Sequence, residues 1–311
     1  MGDYRRHMDA ARRRLGARER RLVQDPRFGA IEYTEWGDGP LLILSHPLFG
    51  GFDLGSGLAA TYIGDSYRFV APSRFGYLGS SLPSGAMPPD QADAYAVLLD
   101  ALGIERSVMF GYSAGGPSAI QFALRHPGRT TALILMASAL PGKAGAPPKP
   151  VAQMLFGSDL MFWMLKRYAA SLFARILGMP KGLRPTPDQR QRMVEVEESF
   201  FPIRPRKAGV LFDLYVSNPD VQGYPLEEIA VPTLIINAKD DGLSAFENAA
   251  RAAERILDSR LIAVERGGHL LLGSERLIQK EIAALMTDAS GVTAALFRLG
   301  RSPGTSAIPL G

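Results

Sequence analysis

Short apolar runs bounded by turn residues recur along the chain, and most are followed by segments whose apolar positions repeat every three to four residues. "AIEYTEWGDGP" reads as a strand closed by a turn, "LLILSH" as a buried strand, and "RFVAPSRFGYLGSS" as a strand leading into a loop. In "PPDQADAYAVLLDALGI", Asp90 follows two prolines, Tyr95, Leu98, Leu99 and Leu102 keep a helical period, and Gly103 ends it. The run "SVMF" passes through "GYSAGG" into "PSAIQFALRH", where Ala119, Phe122 and Ala123 fall at helical spacing. The strand "TALILMAS" comes next; much later follow the strand "TLIINA", the helix "SAFENAARAAERIL" and the strand "RLIAVE". Strands alternating with helices predict an α/β fold: a doubly wound, mostly parallel sheet with right-handed crossovers.

The interval from Leu140 to Thr233 is far longer than the ~10–12 residues a crossover needs, so it predicts an insertion with structure of its own. It opens with the hinge-like "PGKAGAPPKP", continues with a helix over "SDLMFWMLKRYAASLFARILGM", and holds two more around "DQRQRMVEVEESFF" and "RKAGVLFDLYVSN". These form a helical cap. Its apolar residues, Phe162, Trp163, Phe173, Phe200, Phe201 and Phe212 among them, serve mainly as the cap's own core, with some left to face the body. The expected division is a basic N-terminal tail over 1–24, a core over 25–140 and 226–287, the cap over 141–225, and a loose C-terminal tail over 288–311.

The stretch "GYSAGG" joins a predicted strand to a predicted helix, and this context distinguishes Ser113 from a serine that merely caps a helix. Gly111, Gly115 and Gly116 let the chain turn sharply while strand and helix pack closely. A serine hydroxyl in such an elbow needs a base, itself oriented by a third group. Four histidines are available. His7 lies in the basic tail, His126 at the end of the elbow helix, and His46 in the loop after "LLILS"; His269 follows the last predicted strand in "ERGGHLLLG". Elimination and chain position select His269. Asp240 and Asp241, just past the strand "TLIINA", are both candidates for the orienting acid, since the preceding strand's end, "MASALPG", has no carboxylate. Two backbone donors are needed for an oxyanion. Ala114 N–H at the helix start is one candidate; Pro47 has no N–H, so Leu48 in "SHPLFGGFD" is the other.

Composition narrows the function classes. The 311 residues are 46% hydrophobic and 21% charged, which is ordinary for a soluble globular protein. Absence of cysteine excludes disulfides and thiolate metal sites. The chain has no apolar run of membrane-spanning length, and arginines interrupt its first residues where a signal peptide would be apolar, so a cytoplasmic location is expected. The net charge of +4 is local: residues 1–21 hold eight Arg against Asp3, Asp9 and Glu19, while the remainder has 27 basic and 28 acidic residues. Tyr4, Met8, Ala11, Leu15 and Leu22 fall near one helical face of that segment. A weak contact with a membrane surface or an acidic protein partner fits this face; a solvated, partly frayed helix is the plainer reading. A near-neutral body without a basic, aromatic-interleaved stripe argues against nucleic acid. No H-x-x-x-H pair, P-loop ending or dinucleotide fingerprint is present, so neither metal nor cofactor is expected.

The order Ser113, Asp241, His269 resembles that of the α/β-hydrolase superfamily, from about Ile31 to Thr287. "HPLFGG" looks like an oxyanion loop of capped esterase-like and C–C-hydrolase-like members, "APSRFGYLGSS" like their fourth-strand loop, and "GGHLLLG" like their histidine loop. "NAKDDGLS" is similar to a segment usually written G-x-x-D, which aligns Asp241 with the acid. Two departures are Pro47 in place of the usual glycine after the loop histidine and Ala238 in place of the glycine of G-x-x-D. The resemblance implies a serine hydrolase cleaving an ester or related acyl bond of a small to medium apolar substrate. A serine in the elbow argues against epoxide hydrolases and haloalkane dehalogenases, which carry Asp there. C–C hydrolysis, lactone hydrolysis, perhydrolysis, and a ligand receptor without turnover are the alternatives on the same scaffold.

Overall fold

The computed structural model describes residues 1–142, 145–180 and 182–299. Eight strands form one sheet: β1 (Arg21–Asp25), β2 (Gly29–Trp36), β3 (Leu41–Ser45), β4 (Arg68–Pro72), β5 (Ser107–Tyr112), β6 (Thr130–Met136), β7 (Thr233–Ala238) and β8 (Ser259–Val264). They lie in the order β1-β2-β4-β3-β5-β6-β7-β8. β1 and β2 pair antiparallel, as do β2 and β4, and every other neighbour is parallel.

Both faces of the sheet are covered, which explains why the central strands read as continuous apolar runs. Alternate residues still choose opposite faces. Ile43, Met109, Leu133, Leu135 and Ile235 pack under α3 (Pro88–Ala101), α4 (Gly116–Arg125) and α11 (Phe246–Arg255). Leu42, Leu44, Phe110, Ile134 and Ile236 pack under α2 (Gly55–Tyr62) and α12 (Glu275–Leu299). α3 starts at Pro88, where the proline costs no hydrogen bond, and Asp90 accepts from Met87 N–H at 2.8 Å to close its first turn.

The insertion is more divided than its sequence suggested. α5 (Lys149–Phe156) starts in the last two residues of the proline-rich hinge, and the long helix expected next is two, α6 (Asp159–Tyr168) and α7 (Ala170–Ile176), broken at Ala169 with ψ +49°. α8 (Pro187–Ser199) begins with a capping box in which Thr186 and Gln189 satisfy each other's backbone N–H groups. α9 (Lys207–Phe212) runs through a π-turn, Asp213–Ser217, into the single turn α10 (Asn218–Asp220). Phe162, Phe173, Phe200 and Phe201 join one buried cluster with Phe49 of the β3 loop, whereas Phe212 packs into the body's own core.

Both ends of the chain depart from expectation. Residues 1–24 are no solvated tail: α1 (Gly2–Gly16) buries Met8 and Ala11 among the cap phenylalanines, and β1 is an edge strand of the sheet. An arginine-rich helix with a narrow apolar face carries the pattern of a solvated one, and β1, with only Leu22 and Val23 apolar, that of a polar tail. Beyond residue 287, α12 continues to Leu299, so the loose tail expected from 288 is helical up to that point; residues 300–311 lie outside the described residues. Among the described residues, no helix is long and apolar enough to cross a membrane.

Candidate active site

β5 delivers the chain to Ser113, whose φ of +51° lies in the left-handed region, where a side chain is strained. The surrounding glycines are demanded by close approach. A Cβ at Gly115 would stand 2.1 Å from the carbonyl oxygen of Ser45, and one at Gly111 2.8 Å from the Ala119 Cβ. Strand, loop and helix therefore converge under Ser113 at distances no larger residue permits.

Two strand ends bring up its partners. After β8, Gly267 and Gly268 adopt φ values of +144° and +60°, turning His269 back over the sheet. Ser113 Oγ lies 2.8 Å from His269 Nε2, and His269 Nδ1 lies 2.9 Å from Asp241 Oδ2. A carboxylate only accepts, so Nδ1–H donates to Asp241 and Nε2 is free to accept from the serine hydroxyl. The Asp241 side chain is fully buried and its Oδ1 also accepts from the N–H groups of Leu243 and Ser244, at 2.8 and 3.0 Å. The neighbouring aspartates divide the labour. Asp240 accepts from Gly267 N–H and Gly268 N–H, at 3.0 and 2.8 Å, and shapes the histidine loop without touching the ring. Tyr112 supports that loop from below, donating to His269 O at 2.9 Å, and Tyr62 donates to Leu270 O.

Leu48 and Ala114 line the same cavity as Ser113 and His269. The loop carrying Leu48 is held by residues whose roles the sequence did not disclose. His46 is wholly buried, and burial first, then the Arg74 cation, push its pKa well below the usual histidine value. The ring is therefore neutral. Its Nε2 accepts from Arg74 N–H at 3.0 Å, which leaves Nδ1–H to donate to Pro47 O at 2.8 Å. The Arg74 guanidinium donates from Nε to His46 O, and its two terminal nitrogens each reach Asp213 at 2.5 Å, with Tyr77 OH on the same carboxylate. Arg206, from the cap, donates to Gly50 O at 2.5 Å and pairs with Asp53. Arg74 lies within "APSRFGYLGSS", where no local pattern distinguishes a buried arginine from a solvated one.

The cap closes the site from above. Gly178 O, in the turn after α7, accepts from both His269 N–H (3.3 Å) and Gly242 N–H (3.1 Å), so one cap carbonyl touches the histidine and acid loops together. Between cap and body lies a cavity of about 690 Å³, within the range that holds a drug-sized molecule. Its lining includes Leu140, Leu177, Phe200, Leu243 and Leu270 beside Ser113.

A parallel sheet with a strained serine after its central strand, a histidine and an aspartate at later strand ends, and an inserted helical layer defines a class of hydrolase. Residues 40–275 match the family described as alpha/beta hydrolase fold, and the chain belongs to it. It is similar to the "Uncharacterized hydrolase YcgS" of Bacillus subtilis (strain 168), 30% identical over 79% of this chain and 91% of that protein. It is also similar to the 2-hydroxy-6-oxo-6-phenylhexa-2,4-dienoate hydrolase of Comamonas testosteroni, 27% identical over 77% of this chain and 84% of that one. Among solved structures, the alpha/beta hydrolase fold protein from Nakamurella multipartita superimposes with a TM-score of 0.69 at 27% identity, covering 86% of this chain and 98% of its own. The protein is a hydrolase.

Proposed function

We propose that this hydrolase is a serine enzyme that cleaves an ester or related acyl bond of a small to medium apolar substrate through Ser113, His269 and Asp241. The observation that carries the reading is the continuous pair of contacts Ser113 Oγ to His269 Nε2 (2.8 Å) and His269 Nδ1 to Asp241 Oδ2 (2.9 Å) at the floor of a largely apolar cavity. Ser113 Oγ attacks the acyl carbon while its proton passes to His269 Nε2, and Asp241 stabilises the resulting imidazolium. The oxyanion receives Leu48 N–H and Ala114 N–H. The imidazolium then protonates the leaving oxygen as the C–O bond breaks, which leaves an acyl ester on Ser113. Water, giving its proton to His269, cleaves that ester and releases the acid.

The Comamonas testosteroni relative favours a second reading, cleavage of a C–C bond beside a carbonyl in a dienone. One experiment separates them. Enzyme mixed with a slow ester and quenched within one turnover is expected to show the acyl mass on the peptide containing Ser113, and Ser113→Ala is expected to lower kcat by ~10⁶-fold. Near-parental turnover by Ser113→Ala would end the mechanism. Turnover of dienones alone, with esters untouched, would select the second reading.

A further inference from the structure

The serine, histidine and aspartate occupy the body and its loops, and nothing in their chemistry calls for a helix ahead of β1. α1 nevertheless reaches the cavity. Its inward face carries Tyr4, His7, Met8, Ala11 and Leu15, at the three- and four-residue steps that stack side chains along one helical face. The Tyr4 ring meets Trp163 edge-on at 5.7 Å, and the His7 ring meets Phe201 at 4.5 Å. Met8 and Ala11 are 1% and 0% exposed in the cap's aromatic cluster. Farther along, Arg14 donates to Glu198 O at 2.8 Å on the cap, and Arg18, two residues past the end of α1, donates to Ser56 Oγ at 2.9 Å on α2 of the body. The helix and the residues that follow it thus span the seam between cap and body. Ala11, Arg14, Leu15 and Arg18 form part of the wall of the cavity that contains Ser113.

Leu15 stands apart from its neighbours. Met8 and Ala11 lie within the aromatic cluster, whereas Leu15 is half-buried at the cavity wall. We propose that α1 sets the size of the apolar group the site accepts, with Leu15 as the specificity-determining residue. The choice of esters as substrates rests on the function proposed above; the wall itself does not.

Binding without turnover tests this directly. Affinities of unbranched methyl ketones, from four to twelve carbons, are measured by calorimetry for the parent, Leu15→Trp, Leu15→Ala and Arg13→Trp, the last placing the same bulk on the solvent face of α1. Because one methylene in an apolar pocket discriminates by ~10-fold or more, Leu15→Trp is expected to weaken the longest ketone at least ~10-fold relative to the shortest. Leu15→Ala is expected to shift the optimum toward longer chains, and Arg13→Trp to leave the profile alone. Equal changes at every chain length, or none in either Leu15 variant, would overturn the proposal. A panel of acetyl to octanoyl esters follows. A parent that binds ketones and cleaves no ester would remove the ester reading while leaving the wall role intact; active variants with an unmoved chain-length profile would remove the wall role alone.

Discussion

Asp213 is a fully buried carboxylate whose loss should cost the fold heavily for a small change in volume. It comes from the π-turn after α9 and meets Arg74, which follows β4, with side-chain exposures of 0% and 2%. Its carboxylate accepts from both terminal guanidinium nitrogens and from Tyr77 OH, each at 2.5 Å. Asp213→Ala removes the acceptor of all three hydrogen bonds and leaves a guanidinium buried without its counter-charge, which costs about 3–5 kcal/mol. At about 2 °C per kcal/mol, the low end of the scale for larger domains, Tm should fall by about 6–10 °C. Activity should fall as well. Arg74 holds His46 through both its backbone N–H and its Nε, and His46 opens the loop that carries Leu48. A displacement of about 1 Å there would cost ~10²-fold in kcat/KM. Urea unfolding followed by tryptophan fluorescence, beside ester kinetics, measures both quantities. The double variant Arg74→Met/Asp213→Leu should recover much of the stability, since an apolar pair of similar volume replaces a buried ion pair at little cost. A loss below about 1 kcal/mol for Asp213→Ala, or a double variant no better than the single one, would refute the reasoning.

Gly115→Ala places a Cβ 2.1 Å from the Ser45 carbonyl oxygen, a backbone atom that cannot swing aside, and is expected to destabilise by about 1–3 kcal/mol and to lower kcat through the shifted elbow; a thermal melt and an ester assay check both effects. Asp241→Asn turns a pure acceptor into a side chain that can present N–H to His269, favouring the wrong tautomer, and should drop kcat by ~10⁴-fold with little change in KM, read from steady-state kinetics. His46 gives a pH signature. Its folded pKa is depressed, so below about pH 6.5 the unfolded chain binds a proton that the folded chain does not, and stability falls with acidification by ~1.4 kcal/mol per pH unit. The His7 pKa is also lowered, by burial first, and adds to the same slope; urea midpoints between about pH 7 and 5 measure it, and a flat profile would contradict the neutral, buried His46.

Much around Ser113 is marked locally. Glycines mark the elbow and the histidine loop, but Asp240 and Asp241 both follow the strand whose apolar run ends abruptly, and only the resemblance to the G-x-x-D segment singles out Asp241. Their meeting is not local: 156 residues separate Ser113 from His269, and the parallel order of β5 to β8 brings them together. What escaped is what depends on tertiary contact alone. Arg74 and Asp213 lie 139 positions apart, each surrounded by residues that fit a loop or a helix equally well, and nothing in either segment signals a buried pair. For α1 the helical face was legible but its partner was not. Five arginines in the helix signal solvation, and the face of Tyr4, Met8, Ala11 and Leu15 does not disclose that it packs on this chain's own cap beside Phe201 and Trp163. The break between α6 and α7 at Ala169 is likewise a matter of packing, since alanine favours helix more than any other residue.

The most direct test of Ser113 as an activated nucleophile is covalent labelling of the purified chain and of Ser113→Ala with a fluorescent fluorophosphonate, read on a denaturing gel. The 2.8 Å contact with His269 predicts rapid labelling of the native chain and none of the variant. Equal labelling of both, or none of a folded native chain, would contradict the assignment.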